Sequence, residues 1–332
     1  MPGRFLAIDS PASRRENRKT MRQFFIFLLA AFLAVQSPAG AIQKKKSQHR
    51  EPAVKNAFLV SLKNRNTLIG VLRTHVIRND ESLIELAPEY DVGYNEITDA
   101  NPGVDPWLPG NGTVVKIPTL KILPDAPYRG IVVNVAEMRL YYYTKRKGHT
   151  VVFTYPIGIG MEGFNTPPGI YRIVQKIKDP AWYIPDDIRK QDPQLPPYIP
   201  PGRNNPMGRF ALRLSRPTYL IHGTNKPFCV GRMASHGCMR LYNRDIKQLF
   251  AMVPVNTPVR IIYQPVKVGV RNGGIYVEAH RDYLHRGGDP YDVIARWLLL
   301  KGNYQSIDAK KLRKALKKRT GIPVNVTDNP RR

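Results

Sequence analysis

Residues 219–241 read YLIHGTNKPFCVGRMASHGCMRL, and this stretch restricts the fold and the chemistry more than any other. A cysteine is a useful nucleophile only as its thiolate, so it needs an imidazole or another positive group nearby. His236 is too close along the chain to wrap back easily onto Cys238 in an extended loop. His222 ends a predicted strand and is free to face the thiol from a neighbouring strand. The pattern therefore predicts Cys238 as a nucleophile with His222 as its base.

The residues beside Cys238 suit an acyl substrate. Gly237 reaches backbone conformations that other residues avoid, so amides around Gly237 and Cys238 can converge on an acyl oxyanion. Arg240 can hold a substrate carboxylate as a fork. These features favour thiol chemistry on an acyl group next to a carboxylate.

Three other interpretations of these residues remain open. Cysteine is often a small buried hydrophobic residue with no chemistry. A disulfide between Cys229 and Cys238 would silence the thiol in an oxidising compartment. A zinc site of Cys229, His236, Cys238 and His222 is also conceivable, although no Cys-x2-Cys or His-x3-His pair supports it.

The net charge of +27, from 52 Lys and Arg against 25 Asp and Glu, is concentrated at the two ends of the chain. Residues 1–50 and residues 301–332 each carry ten basic and two acidic residues. From Asn79 to Asp105 there are eight acids and no Lys or Arg. No aromatic residues interleave with the terminal basic runs, so the charge does not favour nucleic-acid binding.

Residues 1–41 have the pattern of a secretory leader. Arg22 precedes an apolar run of 12 residues, Phe24–Val35, which is too short for a membrane span and suits a signal-peptide core. Ala39-x-Ala41 fits the small-x-small cleavage pattern. We expect export with cleavage after Ala41, and Met21 is an alternative start because residues 1–20 are long for a basic leader.

Two regions of different pattern follow a linker and entry segment, 42–73. Residues 74–118 predict a strand, two short helices and a closing strand. Residues 129–264 contain short β-rich runs broken by Gly and Pro, which predict a mainly β domain. The predicted strands are Ile131–Val135, Arg139–Tyr143, Val151–Tyr155, Ile170–Val174, Tyr219–Ile221 and Val259–Tyr263.

Helices are predicted near the end of the β-rich region and beyond it. The segment Asn243–Met252 predicts a helix with Asn243 as its N-cap. Residues 265–332 predict a basic C-terminal extension with a hairpin and two helices, over Asp292–Lys301 and about Asp308–Lys318.

One segment inside the β-rich region is unusually rich in proline. It runs from Lys178 to Pro206 and contains eight prolines together with Trp182 and Tyr183. Such a composition is more typical of a lid or cleft wall than of a strand, so we expect Trp182 and Tyr183 to contact substrate.

Ser235–Arg240 with the upstream Ile221–Thr224 resembles the signature of the L,D-transpeptidase catalytic domain of the YkuD type. The resemblance covers roughly residues 129–264 and includes Val132–Tyr143, Pro156–Gly160, Thr166–Gly169 and Asn205–Gly208. It implies a β-sandwich of mixed strands with a small helix behind the cysteine loop. It also implies a reaction that attacks the L,D peptide bond after meso-diaminopimelate, the third residue of the peptidoglycan stem, and releases D-Ala. The resulting thioester then passes to an amine.

The same resemblance implies a role for each residue of the motif. Cys238 is the expected nucleophile, His222 the general base, and the Gly223 carbonyl the group that orients the imidazole. The remaining members are oxyanion-hole amides or supports of the loop and substrate: His236, Gly237, Cys238, Ser235 and Arg240. No metal or cofactor is implied.

Residues 74–118 resemble a LysM domain, a peptidoglycan-binding module. The matching residues are Asp80–Leu83, Leu86, Ala87, Tyr90, Asn101–Gly103, Leu108–Gly112, Ile117 and Pro118. The two resemblances together imply a periplasmic, LysM-bearing Gram-negative L,D-transpeptidase. Its expected partners are peptidoglycan stem peptides and glycan, with diaminopimelate or a Lys of an outer-membrane protein or lipoprotein as acceptor. The alternative is a non-catalytic wall-binding protein whose Cys–His loop has decayed.

Overall fold

The computed structural model describes residues 56–60, 66–302 and 305–328. The predicted leader over 1–41, the alternative start at Met21 and the first part of the predicted linker lie outside these residues. In the part of the chain that is described, no helix is both long and apolar enough to cross a membrane.

Strands predominate in the described residues, and the helices are short. In chain order the strands are β1 (Ala57–Leu59), β2 (Leu68–Ile69), β3 (Arg73–Val76), β4 (Val114–Ile117), β5 (Lys121–Ile122), β6 (Gly130–Asn134), β7 (Arg139–Arg146), β8 (His149–Pro156), β9 (Ile159–Gly160), β10 (Gly169–Lys178), β11 (Trp182–Tyr183), β12 (Tyr198–Ile199), β13 (Phe210–Leu214), β14 (Leu220–His222), β15 (Met233–Ser235), β16 (Met239–Arg240), β17 (Pro258–Ile262), β18 (Val266–Arg271), β19 (Gly274–Ala279) and β20 (Val324–Asn325). The helices are α1 (Leu83–Glu89), α2 (Tyr94–Ala100), α3 (Asp186–Gln191), α4 (Asn243–Met252), α5 (Pro290–Lys301) and α6 (Ala309–Lys318), with a 3-10 turn at Pro227–Cys229.

A nine-stranded sheet in the described residues forms the central region, in the order β1-β8-β7-β6-β17-β10-β13-β14-β16. β10 joins its two halves, because Gly169–Arg172 pair with β17 and Ile173–Lys178 pair with β13. The register shifts where β10 changes partner, and such a bulge bends a strand. Apolar side chains from both halves and from α4 pack into one core. This region is mainly β, as the sequence predicts.

The six strands predicted between residues 129 and 264 overlap β6, β7, β8, β10, β14 and β17. β13 was missed, although it lies between β10 and β14 in the sheet. Its five residues, Phe-Ala-Leu-Arg-Leu, do not alternate clearly between apolar and polar. Its pairing with two other strands therefore decides its conformation.

α4 has the predicted bounds, but the prediction that Asn243 is its N-cap was wrong. Tyr242 occupies the cap position and makes no side-chain cap hydrogen bond, and Asn243 is the first helical residue. The Asn243 side chain makes two hydrogen bonds with the backbone of Thr224 instead. A tertiary contact, which the local sequence does not reveal, has taken the side chain away from the helix end.

Residues 73–117 have the strand–helix–helix–strand order that the sequence predicts. β3 and β4 pair antiparallel, and α1 begins with a capping box between Ser82 and Glu85. The two helices pack with the hairpin around an apolar core that includes Ile97 and Val115. The identification of this module as a LysM domain stays a prediction.

Residues 265–328 of the predicted C-terminal extension have a hydrophobic core of their own. β18, β19 and β20 form an antiparallel sheet, and α5 and α6 contribute side chains to its core. α6 buries Leu312 and Leu316 in this core while its Lys and Arg side chains are exposed. The helical pattern predicted for this region overlaps α5 and α6.

The predicted linker and entry segment, 42–73, needs correction in its described part. β1 pairs with β8 at the edge of the nine-stranded sheet, and β2 pairs with β5. Strands of two or three residues have too few positions to show a period, so distant partners stabilise them and the local pattern does not. These residues belong to the folded body.

Candidate active site

Two neighbouring strands bring the predicted base and nucleophile to the same side of the sheet. β14 ends at His222, and β16 begins at Met239, directly after Cys238. The two strands are parallel, with Ile221 opposite Met239 and His222 opposite Arg240. This pairing explains how residues 16 positions apart line one cavity.

His222 is buried and held by its own neighbour in the chain. Its Nδ1 lies 2.6 Å from the carbonyl oxygen of Gly223. A carbonyl oxygen can only accept, so Nδ1 carries the hydrogen and Nε2 of the neutral ring is left with its lone pair. Burial and the charge of Arg240 outweigh the backbone hydrogen bonds and lower the pKa of His222 to about 4. The imidazole is therefore neutral near pH 7 and able to accept a proton.

Cys238 is a free, partly exposed thiol. Its Sγ donates to the carbonyl oxygen of Thr218 at 3.6 Å. Burial raises the pKa of Cys238, and a backbone hydrogen bond from Leu220 and the charges of Arg240 and Arg213 only partly oppose that effect. The environment of the site therefore favours a neutral thiol beside a neutral imidazole near pH 7.

The loop between Ser235 and Cys238 is held by its own hydrogen bonds. Ser235 Oγ donates to the Cys238 carbonyl oxygen at 2.6 Å and accepts from the Gly237 amide at 3.2 Å. Thr166 Oγ1 donates to the Gly237 carbonyl oxygen at 2.8 Å. The predicted oxyanion donor Gly237 is therefore engaged with Ser235 in this structure, and Ser235 acts on the loop.

Gly237 is required for a conformational and a steric reason. Its φ of +103° lies in a region that other residues avoid, and an added Cβ would lie 2.8 Å from the Tyr219 ring. The next side chain back, His236, packs edge-on against Phe164 with ring centroids 4.7 Å apart. The loop conformation thus depends on glycine and on an aromatic contact from another segment.

A cavity of about 370 Å³ opens in front of Cys238 and His222. The proline-rich segment forms one wall, and Trp182 and Tyr183 of β11 line it as the sequence predicts. That segment also contains β11, β12 and α3, which the sequence did not predict. Arg213 and Arg240 both line the cavity, whereas no Asp or Glu is among the described residues that line it.

Hydrogen bonds to backbone carbonyl oxygens and to Gln175 hold the side chains of Arg213 and Arg240 in place. Arg240 Nη1 donates to the Ala234 carbonyl oxygen at 2.8 Å. Arg213 donates from Nε to Gln175 at 3.1 Å and from Nη1 to the Pro217 carbonyl oxygen at 2.9 Å. Sequence reasoning found Arg240 through its motif but missed Arg213, because only the pairing of β13 with β14 brings Arg213 to the cavity.

The disulfide and zinc alternatives for the cysteines find no support in the described residues. Both Cys229 and Cys238 are free. The four side chains considered for zinc do not form a ligand group; the described group that does is Glu137, Glu278 and His280. The Lys267 ammonium already lies between those two carboxylates.

The module of residues 73–117 contacts the chain just before the cysteine loop. The first amides of α2, at Tyr94 and Asn95, donate to the carbonyl oxygens of Val230 and Gly231 at 3.1 Å each. The Arg232 guanidinium lies over the Tyr94 ring, 3.5 Å from its centroid. The helix thus holds residues three to five positions before Ser235.

Comparison with known proteins gives consistent matches. A family model described as the YkuD L,D-transpeptidase catalytic domain matches residues 128–261. The chain is 40% identical over 275 residues to the probable L,D-transpeptidase YcfS of Escherichia coli K12, covering 78% of this chain and 85% of that one. It is 40% identical over 260 residues to the probable L,D-transpeptidase YbiS of the same strain, covering 75% and 84%. The solved catalytic domain of an Enterococcus faecium L,D-transpeptidase is 22% identical, with a TM-score of 0.32, over 42% of this chain and 100% of that one.

Proposed function

This chain belongs to the L,D-transpeptidase family with a YkuD-type catalytic domain, and we propose that it forms a Cys238 thioester with a peptidoglycan stem peptide and transfers the peptide to an amine. One observation carries the proposal. Cys238 and His222 line the same cavity, and the Gly223 carbonyl holds His222 in the tautomer that a general base needs.

The first half-reaction forms the thioester. His222 Nε2 accepts the thiol proton as Cys238 Sγ attacks the carbonyl carbon of the bond between meso-diaminopimelate and D-Ala. The Cys238 amide, next to the attacking sulfur, is our candidate donor to the oxyanion. When the tetrahedral intermediate collapses, the imidazolium gives its proton to the leaving amine. Cys238 then holds the acyl group, and D-Ala leaves.

The second half-reaction transfers the acyl group. An acceptor amine attacks the thioester carbonyl carbon, and His222 Nε2 takes a proton from it. As the carbon–sulfur bond breaks, that proton returns to Sγ. A new amide has formed, and the neutral thiol and imidazole are restored. The acceptor is either a diaminopimelate side chain or a Lys of an outer-membrane protein or lipoprotein.

The charge of the cavity supports an anionic acyl donor. A stem tetrapeptide ending in D-Ala carries several free carboxylates. Arg213 and Arg240 present guanidinium groups to a cavity without acids among its described lining residues. Guanidinium groups bind carboxylates through paired hydrogen bonds. We therefore assign the recognition of stem carboxylates to these two side chains, with Trp182 and Tyr183 as the apolar wall.

The place of action is proposed from the termini and the first module. The leader pattern over residues 1–41 supports export to the periplasm. The strand–helix–helix–strand module and its sequence resemblance support a LysM domain that binds glycan. The exposed Lys and Arg of α6 would keep the protein near anionic envelope polymers.

The proposal is tested by mass spectrometry of the intact protein incubated with the tetrapeptide L-Ala-γ-D-Glu-meso-diaminopimelate-D-Ala. We expect an adduct of the tripeptide acyl group on Cys238 and release of D-Ala. Cys238→Ala should give neither. Cys229→Ala removes the second, buried thiol and is the matched control that should keep both.

Two outcomes would contradict the proposal. An adduct that persists in Cys238→Ala would place the nucleophile elsewhere. Binding to isolated peptidoglycan without any adduct or D-Ala release would favour the non-catalytic wall-binding alternative.

Muropeptide analysis of a deletion strain then separates the acceptors, since loss of links between third-position residues indicates cross-linking. Loss of wall-attached protein while the links between third-position residues stay intact indicates anchoring of a protein.

A further inference from the structure

The peptide group between Gly223 and Thr224 is held at both of its ends. Its carbonyl oxygen, on Gly223, accepts from His222 Nδ1 at 2.6 Å. Its N–H, on Thr224, donates to Asn243 Oδ1 at 3.1 Å. A trans peptide group is planar, and its C=O and N–H point in opposite directions. Fixing the N–H end therefore fixes the direction in which the carbonyl oxygen faces the imidazole.

Asn243 makes a second bond to the same residue. Its Nδ2 donates to the Thr224 carbonyl oxygen at 2.8 Å, so the side chain amide spans two successive peptide groups. One bond uses the amide oxygen as acceptor and the other uses an amide N–H as donor, which assigns the oxygen and nitrogen of the side chain. Ala or Leu at this position would offer neither bond.

The backbone leaves room for Asn243 by using glycine on two sides. An added Cβ on Gly223 would lie 2.3 Å from Asn243 Oδ1, and one on Gly208 would lie 2.6 Å from it. Gly223 and Gly208 belong to separate segments on either side of β13. Their approach indicates that the amide is seated in a pocket shaped for it.

α4 does not use this asparagine for its own stability. Asn is among the best N-cap residues, yet Asn243 stands one position after the cap, and the helix has no side-chain cap bond. The side chain of Asn243 instead bonds to Thr224, just after the end of β14, the strand that carries His222.

We propose that Asn243 is a positioning residue that fixes the His222 tautomer through the Gly223–Thr224 peptide group. For its catalytic consequence this inference rests on the proposed function. Asn243 does not line the cavity that holds Cys238 and His222, so it acts through Gly223 and has no direct contact with substrate. Without it, the carbonyl is free to turn away, and the proton on Nδ1 loses its preferred acceptor.

The test uses the full-length chain with Asn243→Ala, Asn243→Asp and the control Asn95→Ala. Asn95 also lies in the first turn of a helix; replacing it by Ala keeps the backbone amide that donates to Gly231 and removes only its side-chain bonds, including the one to Tyr283. Asp keeps an oxygen acceptor for the Thr224 N–H but loses the donor to the Thr224 carbonyl oxygen, whereas Ala removes both bonds. The tautomer is measured by ¹⁵N NMR of histidine-labelled protein at pH 8, with His222 assigned by His222→Gln.

In wild type and Asn95→Ala we expect Nδ1 protonated and Nε2 unprotonated. Asn243→Ala should give a mixture of tautomers and lower kcat about 10- to 100-fold with KM within about twofold, a part of the ~10²–10⁴ that general-base catalysis supplies. Asn243→Asp should retain the wild-type tautomer. An Asn243→Ala protein that folds, keeps the Nδ1–H tautomer and acylates within twofold of wild type overturns the proposal.

Two further comparisons distinguish failure of this inference from a folding defect and from failure of the proposed function. If Asn243→Ala does not fold, Asn243→Asp decides, because a mixed tautomer there also overturns the proposal. The NMR measurement needs no substrate. Absence of any acyl-enzyme in wild type would defeat the proposed function, while an altered tautomer in Asn243→Ala would still support the positioning role.

Discussion

Among the described residues, a buried cluster of charged side chains and the buried or partly buried pair His222 and Cys238 favour opposite charge states. The charged cluster consists of Glu96, Lys121, Glu137, Arg139, Lys267, Glu278 and His280, all buried. It joins residues of the central sheet, the 73–117 module and the C-terminal region. The second group is the proposed catalytic pair of His222 and Cys238, called the catalytic pair below. No acid lies among the described residues that line their cavity.

The charged cluster favours ionised side chains. Burial raises the pKa of Glu96, but the charges of Arg139 and Lys121 outweigh burial and hold that pKa well below its usual range. Burial lowers the pKa of Lys267, but Glu137 and Glu278 outweigh it and raise that pKa. Each buried charge therefore has an opposite charge beside it, which offsets desolvation.

The catalytic pair favours neutral side chains. Burial lowers the pKa of His222 and raises that of Cys238. Their partners are backbone carbonyl oxygens at Gly223 and Thr218, which carry no full charge. The comparison shows that burial alone does not decide what a titratable group does. The paired charges of the charged cluster fix the regions to one another, whereas the neutral groups of the catalytic pair, which have no charged partner of opposite sign, remain able to exchange a proton.

The largest effect is expected from His222→Gln, which removes the base of the catalytic pair. Acylation by the stem tetrapeptide should slow by about 10²–10⁴-fold, the usual contribution of general-base catalysis. Rapid-quench mass spectrometry of the Cys238 adduct gives the rate. His280→Gln, at a buried histidine of the charged cluster, is the control and should leave the acylation rate of the folded protein nearly unchanged. Equal losses of acylation rate in both variants would show that the catalytic pair and the charged cluster do not differ in their role in acylation.

A smaller effect, on stability, is expected from Lys267→Met in the charged cluster. It leaves the Glu137 and Glu278 carboxylates buried without their ammonium partner, which typically costs about 3–5 kcal/mol. Chemical denaturation of the purified protein measures the loss. Lys310→Met, at an exposed lysine of α6, should change the free energy of unfolding by less than about 0.5 kcal/mol. A loss below about 1 kcal/mol for Lys267→Met would show that the buried pairs do not hold the regions together.

The pH dependence of thiol alkylation tests whether the catalytic pair is neutral. Iodoacetamide reacts with the thiolate, and the pKa of Cys238 is raised by burial, so the rate should climb about tenfold per pH unit from pH 6 to above 9. His222, with its pKa lowered to about 4, stays neutral over this range and stabilises no thiolate. The rate is measured in Cys229→Ala to leave one thiol. A plateau between pH 5 and 8 would indicate a thiolate–imidazolium pair instead.

The smallest effect is expected from Arg213→Gln, at one of the two arginines that line the cavity. Loss of one carboxylate contact should raise KM for the tetrapeptide about 5- to 10-fold, with little change in kcat, because a charged hydrogen bond is typically worth ~1.5–3 kcal/mol when desolvated and less when partly exposed. A tetrapeptide amide should show a smaller difference between variant and wild type. Arg209→Gln, at an exposed arginine that does not line the cavity, is the matched control. An equal effect on both peptides would refute carboxylate recognition.

The sequence pointed to the candidate reacting residues more directly than to the groups around them. Cys238 and His222 were accessible because they sit in short motifs whose residue types have few other uses together, and the resemblance of these motifs to a family implied the Gly223 carbonyl. Arg213 and Asn243 were not, because strand pairing and a helix contact bring them to the site from positions with no motif. The Gly237 amide was predicted as an oxyanion donor, but the loop folds so that Ser235 Oγ accepts from it.

By itself the sequence determined that residues 129–264 are mainly β, where several of the longer strands and helices fall, and which thiol and imidazole are the candidates for the proposed catalysis. These features depend on local periodicity, turn residues and motif chemistry. Only the tertiary structure decided the burial that favours the neutral forms of His222 and Cys238, the lack of acids among the described residues that line their cavity, and the charged cluster that joins three regions of the chain. Burial and pairing are properties of residues that meet from distant positions, so no local pattern contains them.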